Sequence, residues 1–279
     1  MSQKSYNNTP TVYLIPTPIG NLEDITLRAI NILKQVEVIF CEDTRVTSQL
    51  LKYLNIKKKL ISSHNFNEST NGDKLLKYLK EKYDVGIVTD RGTPIISDPG
   101  YELVKVAIEN NYNVVGLPGP TAFVPALITS NINPQPFLFY GFLNNKASKR
   151  DKELDQLKNE KATIIFYEAP HRIGNTLKAI NKILGNRKIS ISREISKKFE
   201  EIYRGNIIDI IDEIKDAKGE MVIVLEGNKS INTYDNLSII EHVNLYIKEG
   251  NTSKEAIKKV ANDRKLNKNE VYKEYHRGD

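Results

Sequence analysis

Residues 85–100 read VGIVTDRGTPIISDPG. Val85–Thr89 is a short apolar run of the length and composition of a buried strand. From Asp90 onward the chain is turn chemistry, with Gly92, Pro94, Pro99 and Gly100 punctuating the backbone. Asp98–Pro99–Gly100 closes the loop, and a helical pattern follows over Tyr101–Asn110. Strand, polar loop and helix in succession are the repeating unit of parallel α/β sheets. Such sheets bind ligands beyond the carboxyl ends of their strands, so this loop is the first candidate for a site. Its free backbone groups and the Asp90 carboxylate suit a zwitterionic amino-acid moiety or a ribose better than a triphosphate.

The same alternation extends outward from this unit. Thr11–Pro16 reads as a buried strand, and Asp24–Leu33 places Ile25, Leu27, Ile30 and Leu33 on one helical face. Val36–Cys41 and Val114–Leu117 are further strands, and Thr47–Leu54 and Asp73–Tyr83 further helices. A second regime begins near Pro134–Gln135–Pro136. Strands fit Phe137–Phe142, Thr163–Tyr167, Lys188–Arg193, Glu200–Tyr203 and Met221–Leu225, and helices about 149–158, 171–184 and 207–215. Short connections make this half mixed or antiparallel. The polar stretch Gly227–Asn236 then sets off an all-helical tail. There Ser253 reads as an N-cap, Lys265–Lys268 as a turn, and Val271 and Tyr272 as the apolar start of a second short helix. The expected division is a first α/β lobe over 11–120, a second over 121–227, and a helix-turn-helix-like tail over 237–279.

The 279 residues suit more than one domain, and 39% hydrophobic content is enough for a real core. The single cysteine, Cys41, excludes a disulfide scaffold and any multi-cysteine metal site; it reads as a buried thiol. No apolar run approaches the ~18 residues of a membrane span, and the N-terminus has no secretion-signal core, so a soluble cytoplasmic protein is expected. The net charge of +6, from 41 basic and 35 acidic residues, permits a phosphate-rich partner without requiring one. Only 10 of the 41 bases are arginine, and Arg45, Arg91, Arg172, Arg193 and Arg204 fall in polar, turn-rich segments near strand ends.

Neither G-x-G-x-x-G nor G-x-x-x-x-G-K-[ST] occurs, which removes support for the common dinucleotide and nucleoside-triphosphate folds. The first strand instead enters Pro16–Thr17–Pro18–Ile19–Gly20–Asn21, and the strand at 114–117 enters Leu117–Pro118–Gly119–Pro120–Thr121–Ala122. Each is readable as a rigid turn; three such loops after strands point to one ligand cleft. Cys41–Glu42–Asp43–Thr44–Arg45 offers a helix cap in Asp43 and a phosphate-binding arginine. His64–Asn65–Phe66–Asn67–Glu68 and Tyr167–Glu168–Ala169–Pro170–His171–Arg172 have similar loop character without metal-ligand spacing. Arg193–Glu200 and Arg204 mix both charges between strands, and Lys146, Lys149, Arg150 and Lys152 form a basic cluster. Solvated ion pairing explains the first equally well, and the second, which has no aromatic interleaving, reads alone as a solvated face.

Taken in order, YLIPTPIGNLEDIT, CEDTR, HNFNE, DRGTPIISDPGY, LPGPTA, FYEAPHRI and RE-x-S-K-x-x-E resemble the motif series of a bacterial family of small-subunit ribosomal RNA methyltransferases. That family 2′-O-methylates a cytidine in the decoding centre of 16S rRNA. It is similar in fold to the tetrapyrrole methylases, the third structural class of S-adenosylmethionine-dependent enzymes. The match spans about 11–227, and the tail resembles the family's helical C-terminal domain. The resemblance implies an α/β protein of two lobes with S-adenosylmethionine between them, a homodimer, and 16S rRNA, within the small subunit, as partner. It assigns cofactor contacts to Pro18, Ile19, Gly20, Asp90, Gly92, Thr93, Pro94, Thr121, Ala122, Tyr167 and Met221. The chain departs from the family at Arg91, where a small residue is usual; the arginine is expected to cap the cofactor carboxylate, reach RNA phosphate or point outward.

Methyl transfer from a sulfonium needs chiefly an aligned acceptor, and a ribose hydroxyl gains from a general base. Asp43, Glu168, Glu194 and Glu200 are the candidate bases, and the sequence does not choose among them. Arg45, Asn65, Arg172, Arg193 and Lys197 are the candidate RNA contacts. No metal is expected. Two rivals stand beside this reading: a methylase of a corrin precursor, and a non-catalytic ribosome-binding protein whose cofactor site Arg91 has spoiled.

Overall fold

The structure, a computed structural model, describes residues 2–5, 7–63, 68–214, 217–229, 237–264 and 266–278. The chain divides into two compact units, 1–228 and 229–279. His64, Asn65, Phe66 and Asn67 lie outside the described residues, as does 230–236 of the polar stretch.

The first half alternates β1 (Thr11–Leu14), α1 (Leu27–Gln35), β2 (Val38–Cys41), α2 (Thr44–Tyr53), β3 (Lys59–Ser62), α3 (Glu68–Lys80), β4 (Val85–Val88), α4 (Tyr101–Glu109) and β5 (Asn113–Gly116). Its sheet has the order β3-β2-β4-β1-β5, and every pairing is parallel. β2 and β4 are buried along their whole length, as expected of strands covered on both faces. Because the strands are parallel, the segments after β1, β2, β4 and β5 all leave from one sheet edge.

The second half comprises α5 (Phe123–Thr129), β6 (Phe137–Phe142), α6 (Ala147–Gln156), β7 (Thr163–Glu168), α7 (Ile173–Leu184), β8 (Lys188–Arg193), β9 (Glu201–Asn206), α8 (Ile207–Ile214) and β10 (Met221–Leu225). Its sheet has the order β6-β7-β10-β8-β9, with β6 parallel to β7 and the other pairings antiparallel. The run MVIVL of β10 lies at its centre, buried at every position. Ala126 and Leu127 of α5 pack with Ile165, Val222 and Val224 on one face of this sheet. Leu154 of α6, Leu177 and Ile180 of α7 and Ile210 and Ile214 of α8 share a larger core with Phe166, Ile191 and Ile223.

Local chemistry moves several expected boundaries. No helix starts at Asp24: Leu22–Asp24 is a single 3-10 turn, Ile25 is extended, and α1 begins after Thr26, whose hydroxyl accepts from Ala29 N at 3.0 Å. α2 begins before the expected Thr47 because the Asp43 carboxylate accepts from Arg45 N at 2.8 Å and caps it. The edge strand β3 is absent from the sequence reading because its ends are exposed and it has no continuous apolar run.

Among its described residues the second unit has three α-helices, α9 (Ile239–Lys248), α10 (Ser253–Arg264) and α11 (Lys268–Tyr275), where two were expected. They close around Val243, Ile257, Val260 and Val271. The cap of α10 is Thr252 rather than Ser253: Thr252 N donates to the Glu255 carboxylate at 3.0 Å, and the Thr252 hydroxyl accepts from Glu255 N at 3.4 Å. His242 is fully buried, and its Nδ1 accepts from Arg264 Nε at 3.1 Å. Burial, then the Arg264 charge, pushes the imidazole pKa down.

Candidate functional site

A cavity of about 580 Å³ opens where the edges of the two sheets meet within the first unit. That volume suits a ligand of cofactor size. The first sheet contributes Ile19 after β1, Glu42 and Val46 after β2, the loop from Thr89 to Asp98 after β4, and Thr121 and Ala122 after β5. The second contributes Phe142 from β6, Tyr167 to Pro170 from β7, Ile195 after β8, and Glu220 to Val222 at the start of β10.

Paired backbone and hydroxyl contacts fix the first wall. Thr17 and Gly92 exchange two backbone hydrogen bonds of 2.9 Å, pinning the β1 turn to the β4 loop. Gly92 sits at φ 86°, which glycine adopts without strain, whereas Ile95 at φ 75° and Ser97 at φ 65° hold left-handed conformations that side chains disfavour. The Thr17 hydroxyl donates to Thr89 O at 3.1 Å, and Thr93 donates to Pro120 O at 3.0 Å. The Tyr167 hydroxyl hydrogen-bonds Thr121, which carries a second-sheet side chain onto a first-sheet loop.

Carboxylates gather around Thr89. Its hydroxyl lies within hydrogen-bond reach of two carboxyls, Glu42 Oε2 at 3.2 Å and that of Asp98, which share its single proton. Asp90 accepts from Asp43 N at 3.0 Å. Among the described residues Glu42, Asp90 and Asp98 form no ion pair. Burial, followed by the Glu42 and Asp90 charges, pushes the Asp98 carboxyl up to about 6 against the relief of Thr89. Burial likewise raises Asp90.

A chain of alternating charges ties the lobes together at the same cavity. Arg91 Nη1 meets Glu220 Oε1 at 2.5 Å, between residues 129 apart in sequence. Glu220 Oε2 accepts from Lys197 Nζ at 3.0 Å, and Lys197 Nζ also reaches Glu194 Oε1 at 2.9 Å. The aliphatic stem of Lys197 lies across Gly20, where any Cβ would collide with it, and Ser196 donates to Asp24. The partner of Arg91 is thus a carboxylate beyond the second sheet, Glu220, a contact the sequence reading did not include, and Arg91 itself lines the cavity. With side chains 53% and 61% exposed, the Arg91–Glu220 pair is worth ~0–1 kcal/mol, too little to hold the lobes together by itself.

Of the residues assigned to the cofactor, Ile19, Asp90, Gly92, Thr93, Thr121, Ala122, Tyr167 and Met221 line the cavity, while Pro18, Gly20 and Pro94 lie outside its lining. The four candidate bases are all engaged. Glu168 lines the cavity but is 2% exposed, accepting from Ala169 N at 2.8 Å and Thr176 Oγ1 at 2.5 Å and pairing with Arg172 Nε at 3.2 Å. Asp43 is gripped by Arg45 through Nε and Nη2, and that hydrogen bonding holds its carboxyl down at about 2. Burial raises Glu194, yet the hydrogen bonds from Lys197 and Glu220 N outweigh it and leave the group below its ordinary value. Glu200 accepts from Ser196 N at 2.6 Å.

The candidate RNA contacts divide similarly. Arg172 donates to Leu143 O at 2.7 Å and acts as an internal staple. Arg193 pairs with Glu201 at 3.1 Å. Lys197 belongs to the interlobe clasp. Arg45 is 86% exposed although it holds Asp43, and Asn65 is among the residues not described. The sequence reading passed over Glu42, Asp98, Glu220 and Phe142. Glu42 and Asp98 stand inside quoted motifs, where they read as flanking and punctuation residues. No group of three His, Cys, Asp or Glu side chains among the described residues could hold a metal ion.

Residues 11–211 match the family model of the tetrapyrrole (corrin/porphyrin) methylases. The chain is 46% identical to ribosomal RNA small subunit methyltransferase I of Bacillus subtilis (strain 168), over 99% of this chain and 97% of that protein. It is 43% identical to the protein of the same name from Hydrogenobaculum sp. (strain Y04AAS1), over 79% of this chain and 97% of that one. Among solved structures, a cobalt precorrin-4 methyltransferase superposes with a TM-score of 0.60 at 16% identity, over 80% of this chain and 97% of the other, a likeness of fold.

Proposed function

The chain belongs to the tetrapyrrole (corrin/porphyrin) methylase family, and from that premise we propose that it methylates small-subunit ribosomal RNA with S-adenosylmethionine, at the ribose 2′-hydroxyl of a cytidine in the decoding centre. The observation that carries the reading is the cavity's charge: Glu42, Asp90 and Asp98, none in an ion pair among the described residues, face it beside apolar walls. A ligand with a sulfonium, an ammonium and a flat base fits this set, since a bound cation offsets the cost of gathering like charges.

The bound cofactor supplies a methyl group already activated by its sulfonium. The protein's part is to bind, align and manage one proton. Asp90 and Glu42 hold positive charge at the edge of the first sheet. Ala122, Ile195, Met221 and Val222 supply apolar wall. Asp98 is the cavity carboxyl whose charge changes near neutrality, and it takes the ribose proton as the new bond forms, a role for which a pKa near working pH is effective. Glu168 fixes the end of β7 and the start of α7 through its hydrogen bonds, so it shapes the wall.

The Bacillus subtilis relative is named for ribosomal RNA, which favours a nucleotide acceptor over a tetrapyrrole. The reaction then belongs in the cytoplasm, where ribosomal subunits are. No helix among the described residues is long and apolar enough to cross a membrane. A homodimer agrees with the exposed Val124, Ile128 and Phe137, apolar side chains on α5 and the edge strand β6. The test is transfer of labelled methyl to small ribosomal subunits, to naked 16S rRNA and to a precorrin, followed by nucleoside mapping. Label at a cytidine ribose supports the reading; turnover of the precorrin without RNA labelling overturns it.

A further inference from the structure

The lining of the cavity sorts by exposure. Thr89, Glu168, Met221 and Val222 are buried, whereas Phe142 is 53% exposed and stands at the opening. A small cofactor can be enclosed by the buried wall, but one nucleotide of a large RNA must enter from the open side. Phe142 is the last residue of β6 and lies in register with Tyr167 of β7. The Tyr167 ring meets it edge-on, with centroids 5.5 Å apart at 62°, and is itself braced by Phe139 at 5.0 Å. An aromatic ring held firmly yet half in water serves as a stacking platform for an unpaired base.

The chain beyond Phe142 is equally fixed. Arg172 holds Leu143 O at 2.7 Å, and Asn144 N donates to Glu153 Oε2 at 2.8 Å. This leads directly into the exposed Lys146, Lys149 and Lys152, which make no ion pair among the described residues. Asp151 pairs with Arg150 at 3.5 Å, while Glu153 accepts from Asn144 N, a bond that orients its carboxylate and leaves its charge in place. An aromatic platform therefore passes along one fixed segment into residues 146–152, which carry four bases against Asp151 alone.

We propose that residues 142–152 form the RNA-reading strip: the target nucleobase, turned out of its stack, lies on the Phe142 ring, and adjoining phosphates contact Lys146, Lys149 and Lys152. The inference rests on the RNA-methylation reading and names the surface that holds the acceptor. Phe142 is a positioning residue, since it places the ribose without touching the transferred methyl group.

The test compares wild type with Phe142→Ala, Phe142→Leu, Phe142→Tyr and the triple variant K146Q/K149Q/K152Q. Cofactor Kd is read by calorimetry, and KM and kcat from methyl transfer to small ribosomal subunits. F142A and F142L should raise KM about ten-fold or more, F142Y should restore it, and cofactor Kd should stay unchanged. F142L keeps the side chain's bulk, so its loss reports the missing π face rather than a collapsed wall. The triple variant should flatten the dependence of log KM on log salt by about 2, the slope of three phosphates on a single strand. Loss of cofactor affinity in F142L overturns the proposal, because the ring then serves the cofactor's adenine. Unchanged KM in F142L beside an active wild type overturns this inference alone. A wild-type enzyme that labels no RNA overturns the underlying reading and the inference with it.

Discussion

The two sheets meet at one cavity and bring opposite things to it. From the all-parallel sheet come loops, and with them Glu42, Asp90 and Asp98. From the mixed sheet come strand ends, and with them Phe142, Tyr167, Met221 and Val222. Its own two carboxylates there are occupied, Glu168 by Arg172 and Thr176, and Glu220 by Arg91 and Lys197. Charge thus resides on loops whose backbone can be shaped around a ligand, while shape resides on strands that core packing holds still. Parallel strands make this division natural, because each sends a loop to the same edge. The antiparallel strands β7, β8 and β10 instead hydrogen-bond one another to their ends, leaving side chains as the surface on offer.

Removing charge from the first lobe should therefore hurt most. Asp98→Asn should cut kcat for methyl transfer by ~10²-fold or more, the usual range for a positioned base, with cofactor Kd little changed. The wild-type kcat/KM, which reports the free enzyme, should fall as pH drops through about 6, because the Asp98 carboxyl gains its proton there and loses the power to accept another. A D98N enzyme retaining a limb of the same height and position would move the proton acceptor elsewhere. Asp90→Ala comes next, with an expected weakening of cofactor binding of about ten-fold by calorimetry, as a charge-assisted contact is lost. Equal affinity in the folded variant would break the assignment of cation holding to the first lobe.

How much of this was open to sequence reading follows the same line. Strands buried on both faces, such as β4 and β10, announce themselves as unbroken apolar runs, and their loops follow from Gly and Pro placement. β3 gives no such run because it closes the sheet edge with exposed ends. α9 was legible in principle, since Ile239, Val243, Tyr246 and Ile247 have helical spacing, but it follows directly on a polar stretch. Glu42 and Asp98 lie inside motifs that do not single them out, because their importance lies in sharing Thr89, a long-range fact. Arg91 is the clearest case. Its departure from the family pattern was visible, while its partner Glu220 stands 129 residues away and immediately before a strand.

Every residue named in the cavity lining belongs to the unit 1–228. The Hydrogenobaculum relative is covered over 97% of its length by 79% of this chain, so a shorter chain can carry most of the sequence in common. Deleting 237–279 should leave cofactor Kd unchanged and raise KM for the small subunit several-fold, if the helical unit helps to position that substrate. A soluble truncated enzyme with full-length KM would restrict substrate binding to the two α/β lobes.

The smallest effect belongs to the join between the lobes. Arg91→Ala and Glu220→Gln should each change cofactor Kd by no more than about five-fold, because an exposed ion pair contributes ~0–1 kcal/mol. In a double-mutant cycle the coupling should stay under ~1 kcal/mol and shrink as salt rises, since both side chains are more than half exposed. The sign of E220Q separates two roles for Arg91. If the arginine serves only as clasp, both variants weaken binding alike, by loosening one wall against the other. If it leaves Glu220 to take an anionic group of the ligand, R91A weakens binding well beyond five-fold and E220Q strengthens it, because a competitor for the guanidinium has gone. Lys197→Met is the control, keeping the stem across Gly20 while removing the ammonium from Glu220 and Glu194. A K197M enzyme matching E220Q in size and direction would show that the charge chain acts as a unit; one matching wild type would reduce the clasp to Arg91 and Glu220.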